Sequence, residues 1–350
     1  MKKIYNTLLL SLALLYGCEK IQDKQGHISD VQRPVRSYIF FAPEVIDVAQ
    51  TKTHIVEGTQ LPIAANTAFG VLGTYNRTWL FRNYDGNIAK VYRKEDGAIF
   101  DYDNISPWPD GTADYSFYAF YPFSINNKID ITADNIPCIG YTQPSDVSDM
   151  VDILTATKTT KRTDLVKLDF THRLWALDIK VKNSQENDVP YFPDGTDETL
   201  PPTLSVSSAK VYVKGFYKSG NISITGGVSS TQIANEVAEY NIVTNDVTVA
   251  KGATIALEPL LFLPVNKTLA YRLEFEFKNA WGAKYDFYYP APTTDESGNP
   301  IYSFITLSNM DFQAGYRYSL TIEKKETSGA FTINWDVMPW SAVNVDHTFN

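Results

Sequence analysis

Four segments of this chain alternate apolar and polar residues with a period of two, and that pattern constrains the fold more than any other feature. In LDIKVK, Leu177, Ile179 and Val181 face one way while Asp178, Lys180 and Lys182 face the other. KVYVK sets Val211 and Val213 against Lys210, Tyr212 and Lys214. RLEFEFK sets Leu273, Phe275 and Phe277 against Arg272, Glu274, Glu276 and Lys278, and YSLTIEK sets Tyr318, Leu320 and Ile322 against Ser319, Thr321 and Glu323. Successive side chains of a strand point to opposite faces, so these segments predict sheets with one buried and one wet face. Wound as helices, they would scatter charge around the whole circumference. The 22 Tyr and 19 Phe agree, because aromatic side chains suit a pleated, half-buried surface. The best helical candidate, Thr231 to Val243, is short, and Asp146 to Leu154 offers one more turn. Short strands with turn residues between them predict β-sandwiches.

The chain begins MKKIYNTLLLSLALLYGC. Lys2 and Lys3 precede an apolar run, Leu8 to Leu15, broken only by Ser11. A bilayer-spanning helix needs roughly 20 apolar residues, so the run reads as a secretory signal peptide. It ends Leu15-Tyr16-Gly17-Cys18. This resembles the lipobox of bacterial lipoproteins, which implies acylation of the Cys18 thiol and an outer-membrane anchor. Each buried CH₂ of an acyl chain contributes about 0.8 kcal/mol, so several chains hold firmly. Residues 19–37 are polar and without apolar periodicity, and read as a flexible tether.

A length of 350 residues favours two domains, and the Pro-, Asp- and Asn-rich stretch from Asn183 to Ser207 is either a linker or a long loop at a domain edge. The expected layout is a signal peptide over 1–18, the tether over 19–37, an N-terminal β-sandwich over 38–188 and a C-terminal one over 189–350. The formal net charge of -9 argues against nucleic acid as a partner, since phosphates call for clustered Lys and Arg.

Reactive chemistry is sparse. Once Cys18 is acylated, Cys138 has no partner for a disulfide, and it reads as a small buried hydrophobe. His27, His54, His172 and His347 show neither H-x-x-x-H nor H-E-x-x-H spacing, so no metal site and no cofactor is expected. His172 reads as a structural residue bonded to backbone. Acidic turns such as Asp101 to Asn104 and Ser148 to Asp152 read as solvated turns rather than paired catalytic acids. No nucleophile elbow or phosphate-binding glycine loop is present, so the chain is expected not to be an enzyme. The rings of Tyr285 to Pro290 and of Trp108 can stack on sugars, but alternate members of such clusters more often face a core.

Several segments taken in order resemble the fimbrillin family of type V pilus subunits and related surface lipoproteins. They are SYIFFAPEV, FGVLGTYN from Phe69, YSFYAFYPF from Tyr115, DILTATKTT from Asp152 and LEPLLFLPV from Leu257. AGYRYSLTI from Ala314 and a late Trp340 follow, and the most specific is VKLDFTHRLWALDIKVKN from Val166. The resemblance implies an all-β fold of two tandem transthyretin-like Greek-key β-sandwiches. It implies a cell-surface adhesion or pilus role, with other pilin subunits as partners. Assembly would proceed by strand exchange: the subunit's first strand is removed by a protease, and a strand of the next subunit takes its place.

The matching first strand is Tyr38 to Val45, with Ile39 and Phe41 on one face, expected as an edge strand over an apolar groove. Stalk pilins of the family are cut after an Arg behind this strand. Here that loop holds no Arg before Arg77, and Lys52 is its nearest basic residue. Arg36, like Arg33, precedes the strand, so cutting there would free the tether and keep the strand. Near the carboxyl end, Val343 and Val345 alternate as a donor strand would, or as a final edge strand of the second sandwich. The competing expectation is a non-polymerising surface lipoprotein that binds a glycan or a host protein.

Overall fold

A computed structural model describes residues 38–43, 45–46, 61–62, 68–82, 85–93, 100–132, 136–163, 165–185, 189–191, 198–200, 203–266, 268–280, 282–308, 311–325 and 331–340. The described fold is all-β, with short 3₁₀ segments between strands. Each alternating segment forms the strand its pattern predicts. LDIKVK lies in Trp175–Asn183, KVYVK in Leu204–Lys214, RLEFEFK in Leu269–Asn279 and YSLTIEK in Tyr316–Lys324.

Side chains gather into two hydrophobic clusters. One holds Ile39, Phe41, Phe69, Val71, Phe117, Leu168 and Phe170; the other runs from Leu174 to Trp340 and takes in Leu72, Phe120, Ile125 and Ile139. Strands Ala68–Tyr75 and Tyr115–Tyr121 pair antiparallel and lie between the clusters, with Phe69 and Phe117 facing one and Leu72 and Phe120 the other. Such strands, apolar on both faces, read as continuous apolar runs rather than as alternation. Gly70 sits opposite Phe120, whose ring lies over it; a Cβ there would come within 2.1 Å of the ring.

The first-half sheet orders as Val166–Leu168, Phe41–Pro43, Phe100–Asp101, Ala89–Arg93, Ala68–Tyr75, Tyr115–Tyr121, Leu154–Thr160 and Thr171–His172. The first strand is therefore second in its sheet rather than the edge strand expected from sequence. It pairs parallel with Val166–Leu168 on one side and antiparallel with Phe100 on the other.

Chain order and sheet membership part company near residue 172. Strand Trp175–Asn183 runs parallel to Tyr316–Lys324 and antiparallel to Leu260–Phe262 and Thr254–Ala256. The expected limit between residues 188 and 189 thus falls after a strand whose described partners come from later in the chain. Pro137–Thr142 in turn pairs with Tyr217–Ser223, lending Ile139 and Tyr141 to the second cluster. Within the Asn183 to Ser207 stretch, Val189–Tyr191 and Glu198–Leu200 form a small antiparallel pair.

The helix expected from Thr231 to Val243 is instead the end of one strand, Val228–Ile233, and a second, Ala238–Asn241. Tyr240 and Ile242 are buried while Glu239 and Asn241 are exposed, a period of two, and Tyr240 pairs with Val211. Long-range pairing outweighs a helical preference spread over so few residues. The turn expected after Asp146 is present as a 3₁₀ turn, Val147–Asp149, with the Asp146 carboxylate accepting the Ser148 N–H at 2.9 Å.

Candidate functional site

The first strand enters the core through two side chains. Ile39 is fully buried and Phe41 is 1% exposed, as their shared face predicts. The Phe41 ring meets Phe117 edge-on at 5.5 Å and lies 5.8 Å from Tyr102 and 6.2 Å from Phe81. Aromatic pairs in such tilted or edge-on geometry contribute about 0.5–1.5 kcal/mol beyond the area they bury.

The backbone of this strand is tied on both sides. The Ile39 N–H donates to the Ser106 carbonyl at 3.0 Å, and the Val166 N–H donates to the Phe40 carbonyl at 2.8 Å. The Tyr102 hydroxyl donates to the Ile39 carbonyl at 2.9 Å and accepts the Ser106 N–H at 3.2 Å. Among the described residues, ladder pairing covers Phe41 to Pro43 on one side and Phe41 on the other, where an isolated antiparallel bridge also joins Tyr38 to Pro107. Trp108 is 4% exposed and packs edge-on against Tyr115 at 4.5 Å, so it belongs to this core rather than to an open sugar platform. Cys18, Arg36, Lys52, Val343 and Val345 lie outside the described residues.

Within the motif singled out as most specific, Val166 to Asn183, the residues from Thr171 to Trp175 are where the chain passes from one set of strands to the other. The Thr171 hydroxyl donates to the Thr155 carbonyl at 3.3 Å. Arg173 donates through Nε to the Thr155 hydroxyl and through Nη2 to the Ile224 carbonyl at 3.2 Å. The Leu174 carbonyl accepts the Gly315 N–H at 2.9 Å, and the Trp175 indole donates to the Leu263 carbonyl at 2.8 Å.

His172 is buried, as a structural histidine should be, but its Nδ1 meets a carboxylate, Asp152, at 2.9 Å, rather than the backbone expected from sequence. Its ring stacks on Trp340 with centroids 4.0 Å apart. The expectation of a solvated turn fails for Asp152, which is fully buried. Asp178, expected on a wet face, is 3% exposed and receives the Arg317 fork at 2.7 and 3.1 Å. Ser319 is also buried, and Arg317 lies 5.7 Å from the Trp340 ring. Trp340 thus covers a sheet face that alternation marks as wet. No signal in the local sequence couples these residues; parallel pairing of Asp178 with Ser319 does.

The buried Asp–His pair invites a catalytic reading, yet both side chains are sealed, at 0 and 1% exposure. Cys138 is buried, and burial pushes its thiol up, away from the nucleophilic thiolate. Among the described residues no group of three or more His, Cys, Asp or Glu side chains is placed to hold a metal ion, and no helix is long and apolar enough to cross a membrane.

A fimbrial protein from Bacteroides vulgatus has a similar fold: TM-score 0.52 and 16% identity over 86% of this chain and 99% of that one. A candidate cell adhesion protein from Bacteroides uniformis aligns at TM-score 0.47 and 17% identity, covering 87% of this chain and 99% of that one. Another, from Bacteroides ovatus, gives 0.48 and 16%, covering 87% and 97%. No curated protein matches the chain. A fimbrillin-like family model matches residues 51–340, from just beyond the first strand to the tryptophan that closes on His172. With that match spanning most of its length, the chain belongs to the fimbrillin-like family.

Proposed function

We propose that this protein is a cell-surface adhesion or pilus component that joins other fimbrial subunits by strand exchange. The observation that carries this reading is the mismatch between how deeply the first strand is buried and how briefly it is paired. Ile39 and Phe41 are sealed in the core, yet among the described residues the ladder reaches three residues on one side and, on the other, Phe41 with a single bridge at Tyr38. Burying each such side chain is worth about 1.5–3 kcal/mol. Withdrawal of the strand would open the rings of Phe81, Tyr102 and Phe117 to water and bare the inner edge of Val166–Leu168. An unpaired edge over an apolar groove strongly favours a replacement strand.

In this reading the replacement comes from the next subunit, with Val343 and Val345 as the inward residues, and acylated Cys18 holds the protein in the outer membrane. Cutting at Lys52 frees the first strand, whereas cutting at Arg36 frees only the tether. Limited trypsin treatment of the full-length chain in detergent, followed by a non-denaturing gel, tests this. A ladder of polymers is expected. Lys52→Gln should abolish it, Arg36→Gln should leave it, and Val343→Asp with Val345→Asp should remove it. Cleaved protein that stays monomeric overturns strand exchange.

A further inference from the structure

The sheet built on Leu204–Lys214, Leu269–Asn279 and Lys284–Tyr289 has an outward face that is not uniformly wet. At one end three rings gather around a single guanidinium. Arg272 Cζ lies 3.9 Å from the Tyr212 ring centroid, 4.7 Å from Tyr302 and 5.6 Å from Phe304. Lys214 Nζ lies 4.4 Å from the Phe304 centroid, and Tyr288 packs 5.4 Å from Tyr302. Alternation brings Tyr212 and Arg272 side by side across two strands, and the segment after Ile301 lays Tyr302 and Phe304 against them. The surface is open: Tyr302 is 39% exposed and Ile301 49%. The Arg272 Nε is buried and has no hydrogen-bond partner among the described residues. Unpaired buried donors are rare because each one forfeits its bond to water.

We propose that this cluster is a binding platform for a neutral pyranose glycan. A pyranose presents a flat C–H face that fits an exposed ring, and a rim of hydroxyls that need donors and acceptors. Tyr302 supplies the ring. The rim is met by the Arg272 guanidinium and the Glu274 carboxylate. Burial, reinforced by a hydrogen bond to Tyr302, pushes the Tyr288 phenol up to about 12 and fixes it beside that ring.

Charge selects against a polyanion. Lys210, Lys214 and Arg272 on this face are balanced by Glu239, Glu274 and Asp286. Charge also disfavours a second protein surface, which would have to desolvate that mixed lattice, whereas hydroxyls pair with it. The platform lies on a different sheet from the first strand and goes beyond the assembly reading.

Saturation-transfer NMR of the full-length chain in detergent with mannopentaose, maltohexaose, xylohexaose and chondroitin sulfate tests the proposal. Transfer to at least one neutral oligosaccharide is expected. Tyr302→Ala should weaken it about tenfold, the scale of one aromatic contact, while Tyr302→Phe retains most of it. Both variants should melt as the wild type and form the same protease-induced ladder, which separates this proposal from strand exchange. No transfer to any neutral probe, transfer to chondroitin sulfate alone, or undiminished transfer to Tyr302→Ala overturns it. So does a dimer in ultracentrifugation that Tyr302→Ala dissolves while no sugar binds.

Discussion

Asp152 and His172 are 20 positions apart in the chain and in contact in the fold, and their pairing reaches well beyond two residues. The imidazole that Asp152 holds is the surface on which Trp340 lies, so the carboxylate positions the last described residue through a ring. Truncating one partner of a buried polar pair strands the other in a medium that cannot solvate it. Asp152→Ala is expected to lower stability by about 3 kcal/mol, read as a shift in the urea midpoint. Asp152→Asn keeps an acceptor and should lose less. Equal losses would mean that the carboxylate itself, which both variants remove, is what matters there, and neither side-chain volume nor a neutral acceptor. Sequence could not anticipate this site. An acidic turn before a strand looks the same whether its last carboxylate faces water or an imidazole, and the histidine that decides the matter is remote.

At the scale of the element, strands were legible wherever one face is wet. Leu269–Asn279 alternates buried and part-exposed side chains from Tyr271 to Lys278 as its sequence prescribes. Legibility fails where two layers share a strand or a loop folds back over it. Trp175–Asn183 is buried at five successive positions from Trp175 because Trp340 and Arg317 cover its outer side, and alternation alone takes that side for surface. The place of the first strand was also misread, since position in a sheet depends on pairing with distant segments. That strand holds mostly by its two inward side chains. Phe41→Ala should therefore cost about 3–5 kcal/mol locally. Hydrogen exchange should show faster exchange at Ile39 and Val166, whose amides serve this strand, with Leu273 and Leu320 unchanged. Uniform acceleration across the chain would instead mean that the strand is integral to the global fold.

At the scale of the molecule, the abundance of buried tyrosine sets an upper pH limit. Burial pushes the Tyr240 and Tyr285 phenols up to about 12, and raises Tyr141 and Tyr271 as well. A folded value above the unfolded one near 10 means that the native state retains protons which the unfolded chain gives up. The stabilisation is intact below pH 10 and drains away as pH rises from 10 through 12. Ultraviolet titration of the phenolates, run beside circular dichroism, should show a late step coincident with loss of sheet signal. Smooth titration of every tyrosine near pH 10 with the sheet signal intact would contradict this. The all-β class was legible from patterning. The interlocking of its strands was not, because nothing local tells Pro137–Thr142 to join Tyr217–Ser223. Chain separation gives the parallel alignment of Phe41 with Val166 one more meaning. Val166 lies far along the chain from Phe41, so seating Ile39 and Phe41 closes a long loop. In the exchange reading, a strand that arrives from a neighbouring copy is spared that closure.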